Sequence, residues 1–248
     1  MVVLKTAREL DKLRDAGRLS AMALQVGGEA VKPGVTTAEI DSKIHKFILS
    51  QGAKPSFLGY GGFPGSACIS VNDEVIHGIP GSRVIQEGDI VSIDVGAYYN
   101  GYHGDNAFTF TAGAVAPEVQ RLLDATRESL RRGIAAAIPG NRVGDIGWAV
   151  QSYVESLGYG VVKEYVGHGV GANLHEDPEV PNYGRPGHGV RLVPGMVIAI
   201  EPMITMGSPA VRVLDNDWTV VTRDHSPAAH FENTIAITDN GPVILTQA

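Results

Sequence analysis

Two aspartates in one predicted hairpin are the first residues whose placement suggests chemistry. Residues 90–109 read IVSIDVGAYYNGYHGDNAFT, with Asp94 inside an apolar run and Asp105 on the return. Carboxylates are uncommon in strands and costly to bury without partners. The Asn-Gly pair predicts a two-residue type I′ turn, which sets Gly96 opposite Asp105 and Asp94 on the same face. Such diagonal neighbours lie roughly 7–8 Å apart, so a single bound group could contact both carboxylates.

The hairpin alone leaves a second interpretation open, in which backbone N–H groups or an arginine satisfy both aspartates. Three further residues favour a joint site. His168 lies between two glycines in VGHGVGANLHEDP, Glu201 ends a strand-like run in AIEP, and Glu232 begins another in HFENTIAIT. Singly, each could be an ordinary solvated or hydrogen-bonded side chain. Together with the hairpin they make four carboxylates and one imidazole.

That donor set fits a particular class of cation. Carboxylate and imidazole ligands suit Mn, Fe, Co or Zn better than metals that prefer thiolates. Four negative charges exceed what one divalent ion neutralises, whereas two ions would balance them. Two ions about 3.5–4 Å apart can hold a hydroxide whose pKa is lowered toward neutrality. The sequence therefore predicts two divalent cations and metal-assisted hydrolysis.

The sequence signals for the elements that position these residues form an internal repeat. Thr6 with Glu9, and Thr36 with Glu39, form capping-box patterns ahead of helical periodicity. A Pro-Gly pair separates these two helices, and the same order of helix, Pro-Gly and helix returns from Pro117. The matches at a separation of 106 residues are Pro33 with Pro139, Ile40 with Ile146, Ile44 with Val150, Phe47 with Tyr153, and Gly52 with Gly158.

The strands that follow the helices repeat as well. Gly88 and Asp94 correspond to Gly195 and Glu201 at a separation of 107 residues, so two of the acids occupy equivalent positions. We interpret residues 1–248 as a single catalytic domain with an internal repeat, about 1–112 and 113–248, related by a pseudo-two-fold. Interleaved helix and hairpin signals predict an α+β fold with a largely antiparallel sheet.

The ordered ligands and their flanking motifs resemble the type I methionine aminopeptidases, and the resemblance covers essentially the whole chain. The motifs that carry it are HGIP at 77–80, DVG at 94–96, GYHGD at 101–105, GHGVG at 167–171, IEP at 200–202 and ENT at 232–234. The resemblance implies the α+β pita-bread fold, with two pseudo-symmetric halves. It also implies removal of the N-terminal methionine from nascent proteins and peptides, with a preference for a small second residue.

The resemblance assigns a role to each ligand. Asp105 and Glu232 would bridge the two metals. Asp94 would bind one of them, and His168 and Glu201 would bind the other. The bridging hydroxide would attack the first peptide carbonyl, with Glu201 as the proton shuttle. A free α-amine, present only at a chain terminus, would complete the coordination and restrict cleavage to the first bond.

The same resemblance places other residues around the substrate. His77 and His175 would lie beside the scissile peptide, and His175 would help to stabilise the oxyanion. The expected substrate contacts are Tyr60, Phe63, Cys68, His77, His175 and Trp218. Phe57 and Leu174, on the margin of the pocket, depart from the small thiol and the aromatic residue that the family leads us to expect.

Two alternative functions stay open. One is an X-Pro peptidase of the same fold, similar to prolidase or aminopeptidase P. Those enzymes usually carry an additional N-terminal domain, for which a first helix signal at Thr6 leaves no room. The other is a non-catalytic pita-bread protein that binds peptides after losing ligands, which five intact ligand positions disfavour.

Composition limits the partners and the compartment. The 248 residues carry a net charge of −7 with no basic cluster, which disfavours nucleic-acid binding. The single cysteine, Cys68, excludes an intrachain disulfide and fits a reducing compartment. The first fifteen residues are charged from Lys5 onward, unlike a signal peptide or a membrane anchor. We expect a cytoplasmic monomer that acts on nascent N-termini, with the ribosome as a candidate place of action.

Overall fold

The computed structural model describes residues 1–248 and contains four α-helices, one short 3-10 helix (Tyr60–Gly62) and fifteen strands. The helices are α1 (Ala7–Ala30), α2 (Thr37–Ser50), α3 (Pro117–Ala136) and α4 (Val143–Ser156). The strands of the first half are β1 (Lys54–Pro55), β2 (Ala67–Val71), β3 (Glu74–Ile76), β4 (Ile90–Tyr99) and β5 (Tyr102–Thr111). Those of the second half are β6 (Gly160–Val161), β7 (Gly167–Gly169), β8 (Glu176–Val180), β9 (Val197–Ile200), β10 (Met203–Thr205), β11 (Val211–Val213), β12 (Val220–Thr222), β13 (Ala228–His230), β14 (Asn233–Thr238) and β15 (Gly241–Ile244). None of the helices combines the length and apolar composition needed to cross a bilayer.

The first two helices begin where the sequence predicts. The Glu9 carboxylate accepts from the backbone N–H of Thr6 at 2.7 Å, and the Glu9 N–H donates to the Thr6 hydroxyl. Thr36 and Glu39 make the same reciprocal pair at the start of α2. Each pair satisfies backbone donors that the first helical turn leaves without partners.

The two halves share backbone features at the predicted separation. Helices α2 and α4 are each 14 residues long, and their first residues are 106 positions apart. Gly34 and Gly140 have φ values of 90° and 95°, while Gly88 and Gly195 have 87° and 92°. These left-handed conformations favour glycine, which explains why glycine recurs there. The α+β class with two pseudo-symmetric halves is confirmed, while a single catalytic domain divided near residue 112 stays a prediction.

Every strand pairing is antiparallel, as predicted, and the strands are divided among four sheets. The sheet orders are β1-β4-β2 with β5 beside β4, β13-β10-β6, β11-β12-β3, and β15-β14-β9-β7-β8. One of these sheets joins the halves directly, because Val220 on β12 pairs with Ile76 on β3.

The hairpin of β4 and β5 has the predicted register. Gly96 pairs with Asp105, and the turn residues Asn100 and Gly101 have φ values of 50° and 89°. The alternate residues Val91, Ile93 and Val95 are fully buried in a core formed with α1 and α2. Asp94 therefore lies on the opposite face, together with Asp105.

Helix α1 lies directly against the return strand of this hairpin. A Cβ on Gly104 would lie only 2.5 Å from the Cα of Gly17, so only glycine permits this approach. The contact fixes the backbone immediately before Asp105. Helix α1 thus supports the backbone of Asp105 on one side of β5, while the Asp105 side chain faces the second half.

Candidate metal centre

Hydrogen bonds between the two halves bring the candidate ligands together. The Thr234 hydroxyl donates to the carbonyl of Asp105 at 2.7 Å, which ties β5 to the start of β14. The N–H of Glu232 donates to the carbonyl of Ala107 at 2.9 Å. Within the second half, the amide of Asn182 donates to the carbonyl of Glu201 at 3.0 Å and fixes the backbone just beyond β9. Carboxylates from both halves consequently face one another.

The ligand atoms form a compact, buried group. His168 Nε2 lies 3.7 Å from Asp105 Oδ2 and 3.6 Å from Glu201 Oε1. One ligand atom each from Asp105, His168 and Glu232 lies within 4.8 Å of the other two. His168 Nδ1 is 2.9 Å from the carbonyl of Gly169, which can only accept a hydrogen bond. Nδ1 therefore carries the proton, and the Nε2 lone pair faces the carboxylates.

The carboxylates have too few protein partners to carry their charge. Asp94 Oδ1, Asp105 Oδ1 and Glu232 Oε1 are buried without a hydrogen-bond donor. Burial, followed by the neighbouring carboxylates, raises the pKa values of all three well above their usual range. Burial also raises the pKa of Glu201 to about 8 and lowers that of His168 to about 3. Four like charges cannot persist here without protons or cations between them.

These observations fit a divalent cation site. The orphaned oxygens converge with an imidazole nitrogen that is already in the tautomer a metal requires. Carboxylate and imidazole donors are those that Mn, Fe, Co and Zn accept, and sulfur is nearby only as the Cys68 thiol opposite Asp94. Cations would neutralise the group without the partners that the protein lacks.

The group lies at the base of a cavity of about 160 Å³. Every site residue predicted from the sequence lines it, together with the two pocket residues that depart from the family pattern. The lining residues are Phe57, Tyr60, Phe63, Cys68, His77, Asp94, Asp105, His168, Leu174, His175, Glu201, Trp218 and Glu232. One wall of the cavity is apolar, since Phe57, Phe63, Cys68 and Leu174 form a buried cluster.

The two remaining histidines flank the cluster. The His175 ring lies 4.1 Å from the His168 ring at an interplanar angle of 53°, and its Nδ1 is 2.7 Å from the hydroxyl of Tyr60. His77 lies edge-on to Trp218 at the apolar wall, and burial lowers its pKa to about 4. Burial also lowers the pKa of His175. Both rings are therefore neutral near pH 7.

One buried residue beside the cluster was not predicted from the sequence. His230 is 1% exposed, and its Nε2 lies 3.6 Å from Glu201 Oε2 without a hydrogen-bond partner. The signal was available in HFENTIAIT, because residues two apart on an extended segment share a face and His230 precedes Glu232 by two.

Comparisons with known proteins agree with this geometry. The sequence profile of Metallopeptidase family M24 matches residues 11–239. The chain is 55% identical, over 99% of both chains, to the methionine aminopeptidase of Clostridium acetobutylicum. It superposes on all of the methionine aminopeptidase of Rickettsia prowazekii with a TM-score of 0.98 and 42% identity. The prolidase from Pyrococcus furiosus is similar with a TM-score of 0.80 and 25% identity, over 99% of this chain and 66% of the prolidase.

Proposed function

The chain belongs to metallopeptidase family M24 and is a metal-dependent aminopeptidase, and we propose that its cavity removes the N-terminal methionine of polypeptides whose second residue is small. One observation carries this proposal: a group of buried carboxylates without partners lies at the base of a small cavity with an apolar wall. The acids supply a cation site, and the wall supplies a pocket for an uncharged side chain.

We propose that two divalent cations occupy the site, held by Asp94, Asp105, His168, Glu201 and Glu232. When bound, such ions lower the pKa of a water molecule and polarise the substrate carbonyl. Two ions match the four carboxylate charges, whereas one would leave a net charge in a buried place. Divalent metal use is given by the family, while the number and the identity of the ions belong to this proposal.

The protein's own groups manage the proton and the developing charge. Next to bound cations Glu201 would be a carboxylate, which is suited to take a proton from the attacking water and pass it to the departing amine. Nδ1 of His175 lies 2.7 Å from the hydroxyl of Tyr60, and we assign the hydrogen of that bond to the hydroxyl, which leaves Nε2 of His175 as an N–H. We assign that N–H to the carbonyl oxygen of the scissile peptide, where negative charge develops.

The apolar wall selects the first side chain. Tyr60, Phe63, Cys68 and Trp218 line the same cavity as the acids, and the rings of Phe63 and Trp218 meet edge-to-face at 5.2 Å. Aromatic rings contact thioethers favourably, and a charged side chain would lose its hydration there without gaining a partner. A long, unbranched, apolar side chain such as methionine fits this lining best.

The X-Pro peptidase alternative has one supporting observation, the similarity to the Pyrococcus furiosus prolidase over 66% of that chain. Hydrolysis of Met-Ala-Ser and of an Ala-Pro peptide, each with and without Mn²⁺, separates the functions. We expect metal-dependent cleavage of Met-Ala-Ser and little cleavage of Ala-Pro. Faster cleavage of Ala-Pro, or full turnover after exhaustive chelation with metal loss verified, would contradict the proposal.

The place of action follows from the substrate class. We propose that nascent chains in the cytoplasm are the substrates and that the protein meets them near the ribosome. We also propose that the protein acts as a monomer. Cosedimentation of the purified protein with translating ribosomes, compared with sedimentation of the protein alone, tests both points.

A further inference from the structure

His230 is a buried group that the proposed mechanism does not use. It does not line the cavity, so it does not contact the substrate directly. Its only charged neighbour at short range is Glu201, at 3.6 Å, and its Nε2 has no hydrogen-bond partner. A buried polar atom without a partner is costly, so its placement needs an explanation.

The backbone around His230 is held on two sides. Its N–H donates to the hydroxyl of Thr109 at 3.0 Å, and that hydroxyl donates to the His230 carbonyl at 2.9 Å. Ser92 lies 2.8 Å from the same hydroxyl. On the other side, His230 pairs with Met203 on β10. These bonds fix the backbone from which the imidazole extends.

Glu201 lies between two imidazoles with its two oxygens divided between them. Oε1 lies 3.6 Å from His168 Nε2, and Oε2 lies 3.6 Å from His230 Nε2. A carboxylate can only accept, so the nitrogen that faces Oε2 is complementary to it when it carries the hydrogen. The present separation is about 0.5 Å beyond a normal hydrogen bond, a distance that a small rotation of either side chain closes.

We propose that His230 is a positioning residue, whose Nε2–H holds Oε2 of Glu201 and so presents Oε1 to the cation site beside His168. The inference rests on the proposed metal-dependent function. Carboxylates that ligate metals are themselves commonly hydrogen-bonded, and the partner fixes which oxygen faces the ion. All five proposed ligands line the cavity whereas His230 does not, which separates this role from that of a ligand.

Two variants of the full chain test the role. Gln at position 230 keeps an N–H donor at a similar reach, while Met keeps the length and lacks a donor. Binding of Mn²⁺ to metal-free protein by calorimetry, and the visible spectrum of the Co²⁺ form, report on the site without any substrate. We expect H230M to lose about 10–100-fold in Mn²⁺ affinity and to change the Co²⁺ spectrum, whereas H230Q stays within about threefold of the original protein.

Steady-state kinetics on Met-Ala-Ser complete the test. A positioning role predicts that H230M lowers kcat more than it raises KM and that H230Q restores kcat. Unchanged Mn²⁺ affinity in H230M, or equal losses in H230M and H230Q, would overturn the inference. If the original protein binds Mn²⁺ but fails to cleave Met-Ala-Ser, the proposed function fails, while the affinities of the variants still decide the role of His230.

A measurement on the unaltered protein guards against a variant that does not fold. Long-range ¹H–¹⁵N spectra of the Zn²⁺-loaded protein distinguish the two neutral tautomers of each histidine. A hydrogen on Nε2 of His230 supports the inference. A hydrogen on Nδ1, with Nε2 unprotonated, rules out donation to Glu201 and overturns it.

Discussion

Asp105 lies 3.7 Å from His168 Nε2, and one of its oxygens is buried without a partner, as is one oxygen of Glu232. Replacing either carboxylate by its amide removes a charge at almost unchanged size. We expect D105N and E232Q to lose nearly all turnover of Met-Ala-Ser, because cation binding needs that charge. Both should stay folded, since the repulsion between carboxylates falls. Turnover at saturating Mn²⁺ and circular dichroism measure the two effects.

A control variant distinguishes the loss of a charge in the cluster from the loss of a charge elsewhere on the protein. Asp11 is an exposed aspartate on α1, 72% exposed in its side chain and paired only with Arg14. D11N should keep full turnover. Wild-type turnover in either D105N or E232Q would show that these carboxylates do not hold a catalytic cation.

His175 tests the assignment of the oxyanion donor. Because a donor to the developing oxyanion acts mainly in the transition state, H175A should lower kcat far more than it raises KM. Loss of one such donor costs about 10²–10³ in rate. Steady-state kinetics over a range of Met-Ala-Ser concentrations give both constants. H188A, at an exposed histidine outside the cavity, serves as the control, and a change confined to KM in H175A would make His175 a binding residue only.

At the scale of elements, the turn of the β4–β5 hairpin determines which face Asp94 and Asp105 share. Gly101 has a φ of 89° and open space where a Cβ would lie, so alanine there meets no atom and costs only backbone strain. We expect G101A to lower the free energy of unfolding by about 1–2 kcal/mol. Urea unfolding of the metal-free protein measures this loss.

Gly81, in the loop between β3 and β4, provides a control for this glycine-to-alanine substitution. Its φ lies outside the left-handed region, and the nearest atom to a Cβ there is 3.9 Å away. G81A should therefore be neutral or slightly stabilising, because alanine restricts the unfolded chain. Equal losses in G81A and G101A would mean that the positive φ of the turn is not what constrains the hairpin.

Local signals explain how much of this architecture could be predicted. Both capping boxes form, because Glu9 and Glu39 lie one helical turn from their threonines and need no distant partner. The Asn100–Gly101 turn likewise fixes its own register, which placed Asp94 and Asp105 on one face. His168, Glu201 and Glu232 were then predicted as ligands from their residue types and local context, and the family resemblance assigned the role of each.

The rest depended on contacts between residues far apart in sequence. The pairing of Val220 with Ile76 and the division into four sheets have no local signature, because β-pairing across long separations is set by tertiary packing. The approach of His230 to Glu201 depends on how β13 and β9 are placed in three dimensions. Helix α4 also gains an unpredicted cap, in which the Asp145 carboxylate accepts from the Arg142 N–H at 2.7 Å.

At the scale of the whole molecule, the acidic cluster lies where the two halves meet. Asp94 and Asp105 come from β4 and β5, while Glu201 and Glu232 adjoin β9 and β14 of the second half. Burial raises the pKa values of these carboxyls. In the absence of cations they therefore retain protons. The stability of the metal-free protein must therefore depend on pH.

The direction of that dependence follows from the protons bound in each state. Above about pH 7 the histidines are neutral in both states, since burial lowers the pKa values of His77, His168 and His230 and unfolded histidines titrate near 6.5. Glu201 keeps its proton up to about pH 8 when folded, whereas an unfolded glutamate loses it near pH 4. The folded state thus binds more protons, and the stabilisation that is complete below about pH 4 is lost as the pH rises through 8.

We expect the free energy of unfolding of the metal-free protein to fall between about pH 7 and 8, by up to about 1.4 kcal/mol per pH unit for each carboxyl that retains a proton. Saturating Mn²⁺ should reverse the trend, because cations bind the deprotonated ligands and favour the folded state. Thermal unfolding with a chelator or with Mn²⁺, at matched ionic strength, measures both slopes. E201Q should flatten the chelator slope, since its amide does not titrate. A metal-free protein that grows more stable over this interval would mean that the carboxyls are ionised when buried, and that protein groups rather than cations balance their charge.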